Sequence, residues 1–281
     1  MTGVLFFNTL RGNWLQTVYW GAGLGLMALF TAASVPFFDS MKLVELIQGL
    51  PPILLAAAGY DADLQILATP EGLITIGFFG ELMLIFVACP IVPGMRISAN
   101  DEEDGVMEVI LSLPLPRRRV IVERFLAFCL ILAGVSALVY AGLWLGVALA
   151  GVELDMARMA TVVFNVVPVL VFVLAFTALM ATLFRRRQRA LAVTVVFVVA
   201  SFMLDVLAGV TDGGLSQSMH AISFFSYYDP AGILQHGPDQ GKTFLTGALA
   251  LLLALGSLWA FQRRDVGPWI MPTRHPEEQL S

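Results

Sequence analysis

The sequence predicts an all-α integral membrane protein with six transmembrane helices, on three observations. Of the 281 residues, 58% are apolar and only 13% charged, with a mean hydropathy of +0.82, where a soluble domain carries roughly 25% charged residues. Six apolar runs have the length of a bilayer-crossing helix. The basic residues fall almost wholly on one side of those runs. Together these exclude a water-soluble enzyme and a disordered chain. Six spans consume roughly 120 residues and leave loops too short for a second domain, so residues 1–281 read as a single transmembrane domain. The net charge of −5 carries little weight, because placement of charge matters more than its sum in a membrane protein.

The spans fall at about 17–38, 73–95, 125–151, 159–184, 190–210 and 243–261. Backbone polar groups in lipid must be satisfied internally, so these runs are expected to be helices, and the alternation of barrel strands is absent. Arg11, Arg96, Arg117, Arg118, Arg119, Arg124, Arg185, Arg186, Arg187, Arg189, Arg263, Arg264 and Arg274 all lie on one side. Lys42, Arg158 and Lys242 alone lie on the other. The positive-inside rule then places both termini in the cytoplasm, in agreement with an even number of spans. Thr31-Ala32-Ala33-Ser34 has the small residues of a signal-peptide cleavage site. Met1–Leu10 has no basic residue, however, and the following apolar run is too long for a signal peptide.

Two further segments are apolar without spanning. Val4–Leu15 mixes Val4, Phe6, Phe7, Leu10 and Trp14 with Asn8, Arg11 and Asn13, and reads as a helix lying flat at the cytoplasmic interface. Met41–Ala58 places Leu43, Val44, Leu46 and Ile47 among Lys42, Glu45 and Gln48 before Pro51 and Pro52, as an interfacial helix of the outer loop would. Cys89 and Cys129 both fall inside apolar runs, which argues against a structural disulfide. The histidines at 220, 236 and 275 are scattered in loops without metal-ligand spacing, and no catalytic constellation is visible. Gly237-Pro-Asp-Gln-Gly-Lys-Thr243 imitates a phosphate-binding loop. It has three residues between its glycines instead of four, and it precedes the sixth span on the outer side.

The cytoplasmic loop from Ile97 to Arg119 differs from the rest of the chain. Asp101, Glu102, Glu103 and Asp104 precede Gly105 and a short apolar stretch, Val106–Leu113, that carries Glu108. Acidic residues at its start suit the helix dipole, Pro114 and Pro116 end it, and Arg117–Arg119 mark the return to the membrane. A solvated loop that merely anchors two spans would show the same charge run.

Glu-Glu-x-Gly-x-x-Glu, an apolar triplet, then Pro and Arg, resembles the coupling-helix segment of type-2 ABC exporter permeases. Phe7–Trp14 (FNTLRGNW) resembles that family's interfacial amino-terminal helix. Ser223–Leu234 (SFFSYYDPAGIL) is similar to its outer segment before the sixth span, and Phe261-Gln-Arg-Arg-Asp-Val is similar to its closing motif. The resemblance runs from Phe7 to about Val266. It implies a coupling helix within 97–119 in which Glu102, Glu103, Gly105 and Glu108 face a separate cytoplasmic ATPase, with Pro114 and Arg117 ending the segment. Val106 stands where the family usually has Thr, and Pro116 where Ser is common. The resemblance further implies a second permease chain, in a homo- or heterodimer, and a plasma or inner membrane location. ATP and magnesium belong to the partner ATPase and none to this chain, and no nucleic acid is expected among its partners.

Two carboxylates fall inside spans: Glu81 in the second, about 12 Å from its outer end, and Asp205 in the fifth, about 7–8 Å from its own. An intramembrane charge costs about 2.5–3.5 kcal/mol on insertion scales and usually faces a cavity or bundle interior. Both are therefore candidates for the outer part of a transport path, or for bonds that stiffen the bundle. The rival readings are an ATP-independent transporter or channel that titrates one of these carboxylates, and a membrane scaffold that uses the loop for docking. No internal repeat supports the former.

Overall fold

The computed structural model describes residues 3–37, 69–80, 83–97, 116–184, 186–211 and 214–263. Among these residues there is no strand. The described residues form eleven α-helices: α1 Val4–Ser34, α2 Pro70–Ile74, α3 Met83–Ala88, α4 Ile91–Met95, α5 Arg117–Ala150, α6 Met156–Asn165, α7 Val167–Leu183, α8 Arg187–Val210, α9 Gly214–Ile222, α10 Pro230–His236 and α11 Gln240–Arg263. Five helical stretches, α1, α5, α6 with α7, α8 and α11, are long and apolar enough to cross a bilayer. The stretch Pro70–Met95 makes a sixth if its two arms, bent by 45°, count as one span.

The expected flat helix at the amino end is not a separate element. Val4–Leu15 runs without interruption into the first span, as the first half of a 31-residue helix. Asn13 is satisfied on both sides: its Nδ2 donates to Thr9 O at 2.8 Å, and its Oδ1 accepts from Arg96 Nη1. At 1.5 Å per residue the helix is ~46 Å long, against a hydrocarbon core of ~30 Å. The excess continues along α5 instead of turning into the interface plane.

Glycine decides how α1 and α5 meet. A Cβ on Gly142 would stand 2.0 Å from the carbonyl oxygen of Gly25, one on Gly146 2.5 Å from that of Leu29, and one on Gly25 2.8 Å from that of Leu138. The two backbones are in direct contact, as small-xxx-small spacing permits in membrane helices. Position rises with position along both helices, so they run parallel. α7 and α11 form a second parallel pair. Asn165, just before α7, donates to Thr243 Oγ1 near the start of α11 at 3.3 Å, and Gly256 near its end faces Leu179. Of the five spanning stretches, α6 with α7 is the most enclosed, with Val169, Leu170, Val173, Leu174, Ala175 and Ala178 of α7 buried. At α4, a Cβ on Gly94 would stand 2.5 Å from Thr177 Cβ.

Prolines set where the second stretch starts and where it turns before α4. Thr69 Oγ1 accepts from Gly72 N at 3.1 Å and Pro70 takes the first helical position. A π-helical stretch, Thr75–Gly80, follows α2. Cys89 and Pro90 form a turn between α3 and α4, because Pro90 has no N–H to donate to the preceding turn. The same deficiency in Pro168 accounts for the pause between α6 and α7 at Val166. Exposed apolar side chains line the outside of α8 (Val195, Val196, Val199, Met203, Leu207) and α11 (Phe244, Leu251, Leu252, Leu255). In water such patches mark a binding surface; on a spanning helix they are its lipid contact.

Candidate functional site

The ends of the bundle hold the chemistry. At the arginine-bearing end, residues 98–115 leave from α4 and return at α5. Glu102, Glu103, Gly105, Glu108 and Pro114 lie outside the described residues, as does Glu81. Arg117 is the first residue of α5, following Pro116, whose backbone is extended. Met95, Ala181 and Ala190 pack together with Met180 and Phe184, gathering the ends of α4 and α7 with the start of α8.

The two roots of the loop are bound to each other. Arg124 Nη1 donates to Arg96 O at 3.3 Å and Ile97 O at 3.2 Å, the last carbonyls of the outgoing root. Arg96 in turn donates to Asn13 of α1. One residue before Arg124, Glu123 accepts from the backbone N–H groups of Gly3, Leu5 and Phe6 at 3.2, 3.1 and 3.2 Å. It also receives Arg119 Nε at 2.6 Å. Sequence reasoning took Arg96, Arg119 and Arg124 as topology markers and missed Glu123, whose backbone partners stand about 120 residues away and leave no local signature.

At the opposite end the chain turns back on itself. Ser216 Oγ, on α9, donates to Ala208 O at 2.8 Å, His220 Nδ1 stands 3.5 Å from Asp205 Oδ1, and Ser223 Oγ donates to Ser201 O at 3.0 Å. Each step forward along α9 is thus a step back along α8, which makes α8 and α9 an antiparallel hairpin that returns the chain toward the bundle. The segment is held at depth by Phe224 and Phe225. Phe224 stacks on Phe197 at 5.6 Å and Phe225 on Phe224 at 4.4 Å, and Phe197 stacks on Phe176 of α7 at 4.1 Å. Ser201 Oγ accepts from Phe224 N and Ser223 Oγ from Phe225 N, satisfying the backbone where helix geometry stops. Tyr228 O–H donates to Val162 O at 3.2 Å.

Asp205 is thereby placed against the returning segment, its side chain 27% exposed, with an imidazole at ion-pair distance. That partner is not in the same span, and so a span-by-span reading did not find it. His220 and His236 lie in the last turns of α9 and α10, not in loops. The false phosphate loop is a helix boundary: Asp239 Oδ1 accepts from Gly241 N at 2.8 Å and Lys242 N at 3.3 Å and caps α11. Beside it a cavity of about 190 Å³ opens between α10, α11 and the end of α6, lined by Asn165, Tyr227, Asp229, His236, Asp239 and Lys242 among others.

Apolar helices in lipid-spanning lengths, polar segments at both ends and a hairpin that returns at one end define a multi-pass membrane protein. The family model described as ABC-2 family transporter protein matches residues 4–266. The chain belongs to the ABC-2 transporter family, and is the transmembrane permease component of an ABC transporter. No curated protein matches it.

Proposed function

We propose that the chain forms half of the transport path of an ATP-driven exporter, paired with a second permease chain and resting on two separate cytoplasmic ATPase subunits. The observation that carries this reading is the family match, which takes in every span and the loop between the second and third. The arginine-bearing end then faces the cytoplasm with both termini, in the plasma or inner membrane, following the positive-inside rule. Residues 97–119 dock the ATPase through Glu102, Glu103, Gly105 and Glu108, and Pro114 and Arg117 close the segment. ATP and magnesium bind the partner. Binding of ATP draws the two loops together, and the spans rock to open outward. Glu81 and Asp205 line the outer part of the path, and Asp205 sits where the α8–α9 hairpin closes it.

The chemistry of the loop sets the test. Charge reversal at Glu102→Lys with Glu108→Lys presents like charge to whatever basic surface the acidic segment meets. The double variant is expected to insert normally and to lose ATPase subunits on purification, with hydrolysis in the purified fraction reduced at least tenfold. Unchanged stoichiometry and hydrolysis would remove the docking assignment.

A further inference from the structure

We infer that Glu123 is the joint through which motion of the 98–115 loop reaches the first span. The inference rests on the permease reading above, since that reading supplies the motion. A helix begins with backbone N–H groups that have no partner inside the helix. α1 cannot cap itself, because Gly3 precedes it with φ 91° and no side chain. The cap comes from α5: both oxygens of Glu123 are used on Gly3, Leu5 and Phe6. A carboxylate at this position is also favoured by the helix dipole. Arg119 holds that carboxylate in place one turn earlier on α5.

A single attachment would leave α1 free to pivot, and the structure shows two more, the first being the bond that Asn13 Oδ1 of α1 accepts from Arg96. The second is the backbone contact of Gly25 and Leu29 with Gly142 and Gly146, about 30 Å from the Glu123 cap along the axis at 1.5 Å per residue. Arg124, the next residue after Glu123, grips the other root of the loop at Arg96 and Ile97. Two consecutive side chains thus join the third span to the first and to the end of the second. Displacement of the loop moves these as one body. Glu123 is a positioning residue, acting through α1 and not on cargo or nucleotide.

Amide hydrogen exchange on the full chain, alone and with its co-purified ATPase, tests this in two arms. On the chain alone, Glu123→Ala is expected to raise exchange at Leu5 and Phe6 roughly tenfold or more, the scale of a lost helix cap. Arg119→Gln keeps the cap and is expected to leave these amides protected. Glu123→Gln retains one acceptor oxygen and is expected to fall between, and it serves if the alanine variant does not fold. Unchanged exchange in both Glu123 variants overturns the clamp. In the complex, ATP with vanadate is expected to alter exchange at the starts of α1 and α5 together in the wild type, and less at α1 than at α5 in Glu123→Gln. An equal response of α1 in that variant overturns the transmission. A wild-type chain that carries no ATPase counts against the permease reading, and with it the transmission, while the first arm still decides the clamp.

Discussion

At the scale of single residues, burial makes small hydroxyls matter more than charges. Ser223 is fully buried, donates to Ser201 O and accepts from Phe225 N. Its replacement by Ala leaves a buried N–H without a partner, which costs about 1–3 kcal/mol. Ser223→Ala is expected to lower the thermal midpoint of the detergent-solubilised protein by several degrees and to loosen the hairpin. Ser218→Ala removes only an exposed bond to Gly214 O and should leave the midpoint unchanged. Equal midpoints for the two variants, read by fluorescence-detected size exclusion, would contradict this ordering. Asp205 was legible as an intramembrane charge, because a carboxylate in an apolar run stands out in any sequence. Its neighbour His220 was not, since the contact depends on a reversal of chain direction that the polar run Gly214–Ile222 does not announce.

At the scale of elements, the parallel contact of α1 and α5 sets the strictest demand on the sequence. With the Gly25 carbonyl at 2.0 Å from a Cβ on Gly142, Gly142→Ala must part the two backbones. It also forfeits Cα–H···O contacts of about 0.5–1 kcal/mol each. Overpacking of this kind costs about 1–3 kcal/mol, and the expected result is a lower yield of folded protein and a lower midpoint. Gly23 has nothing within 4 Å of its would-be Cβ, so Gly23→Ala is expected to be neutral or slightly stabilising, as alanine is the better helix former. A Gly142→Ala variant as stable as Gly23→Ala would contradict the close packing. The ends of α6 with α7, of α8 and of α11 fall within three residues of the apolar runs at 159–184, 190–210 and 243–261, whereas α5 begins eight residues before the run at 125. The continuity of α1 was not legible: Asn8, Arg11 and Asn13 look interfacial in sequence, and only the Asn13–Arg96 bond and the Glu123 cap tie this half of α1 to the ends of α4 and α5. The pauses at Pro90 and Pro168 follow from the missing proline N–H, though Pro168 drew no notice inside so apolar a run.

At the scale of the whole molecule, two parallel helix pairs, α1 with α5 and α7 with α11, build the bundle, and each end of it has its own chemistry. One end binds the roots of an acidic loop through Arg96, Glu123 and Arg124. The other folds α9 and α10 back toward the bundle around Asp205 and a polar cavity. Under the proposed function, this division supplies a stiff connection at the end that would be driven and a polar opening at the other. The measurement that tests this most directly is a mild-detergent purification of the chain from its native host, followed by quantification of bound subunits and ATP hydrolysis. The account predicts a stoichiometric nucleotide-binding partner and hydrolysis in the same fraction. A chain that purifies alone and hydrolyses nothing, under conditions where a known ABC complex stays together, would contradict it.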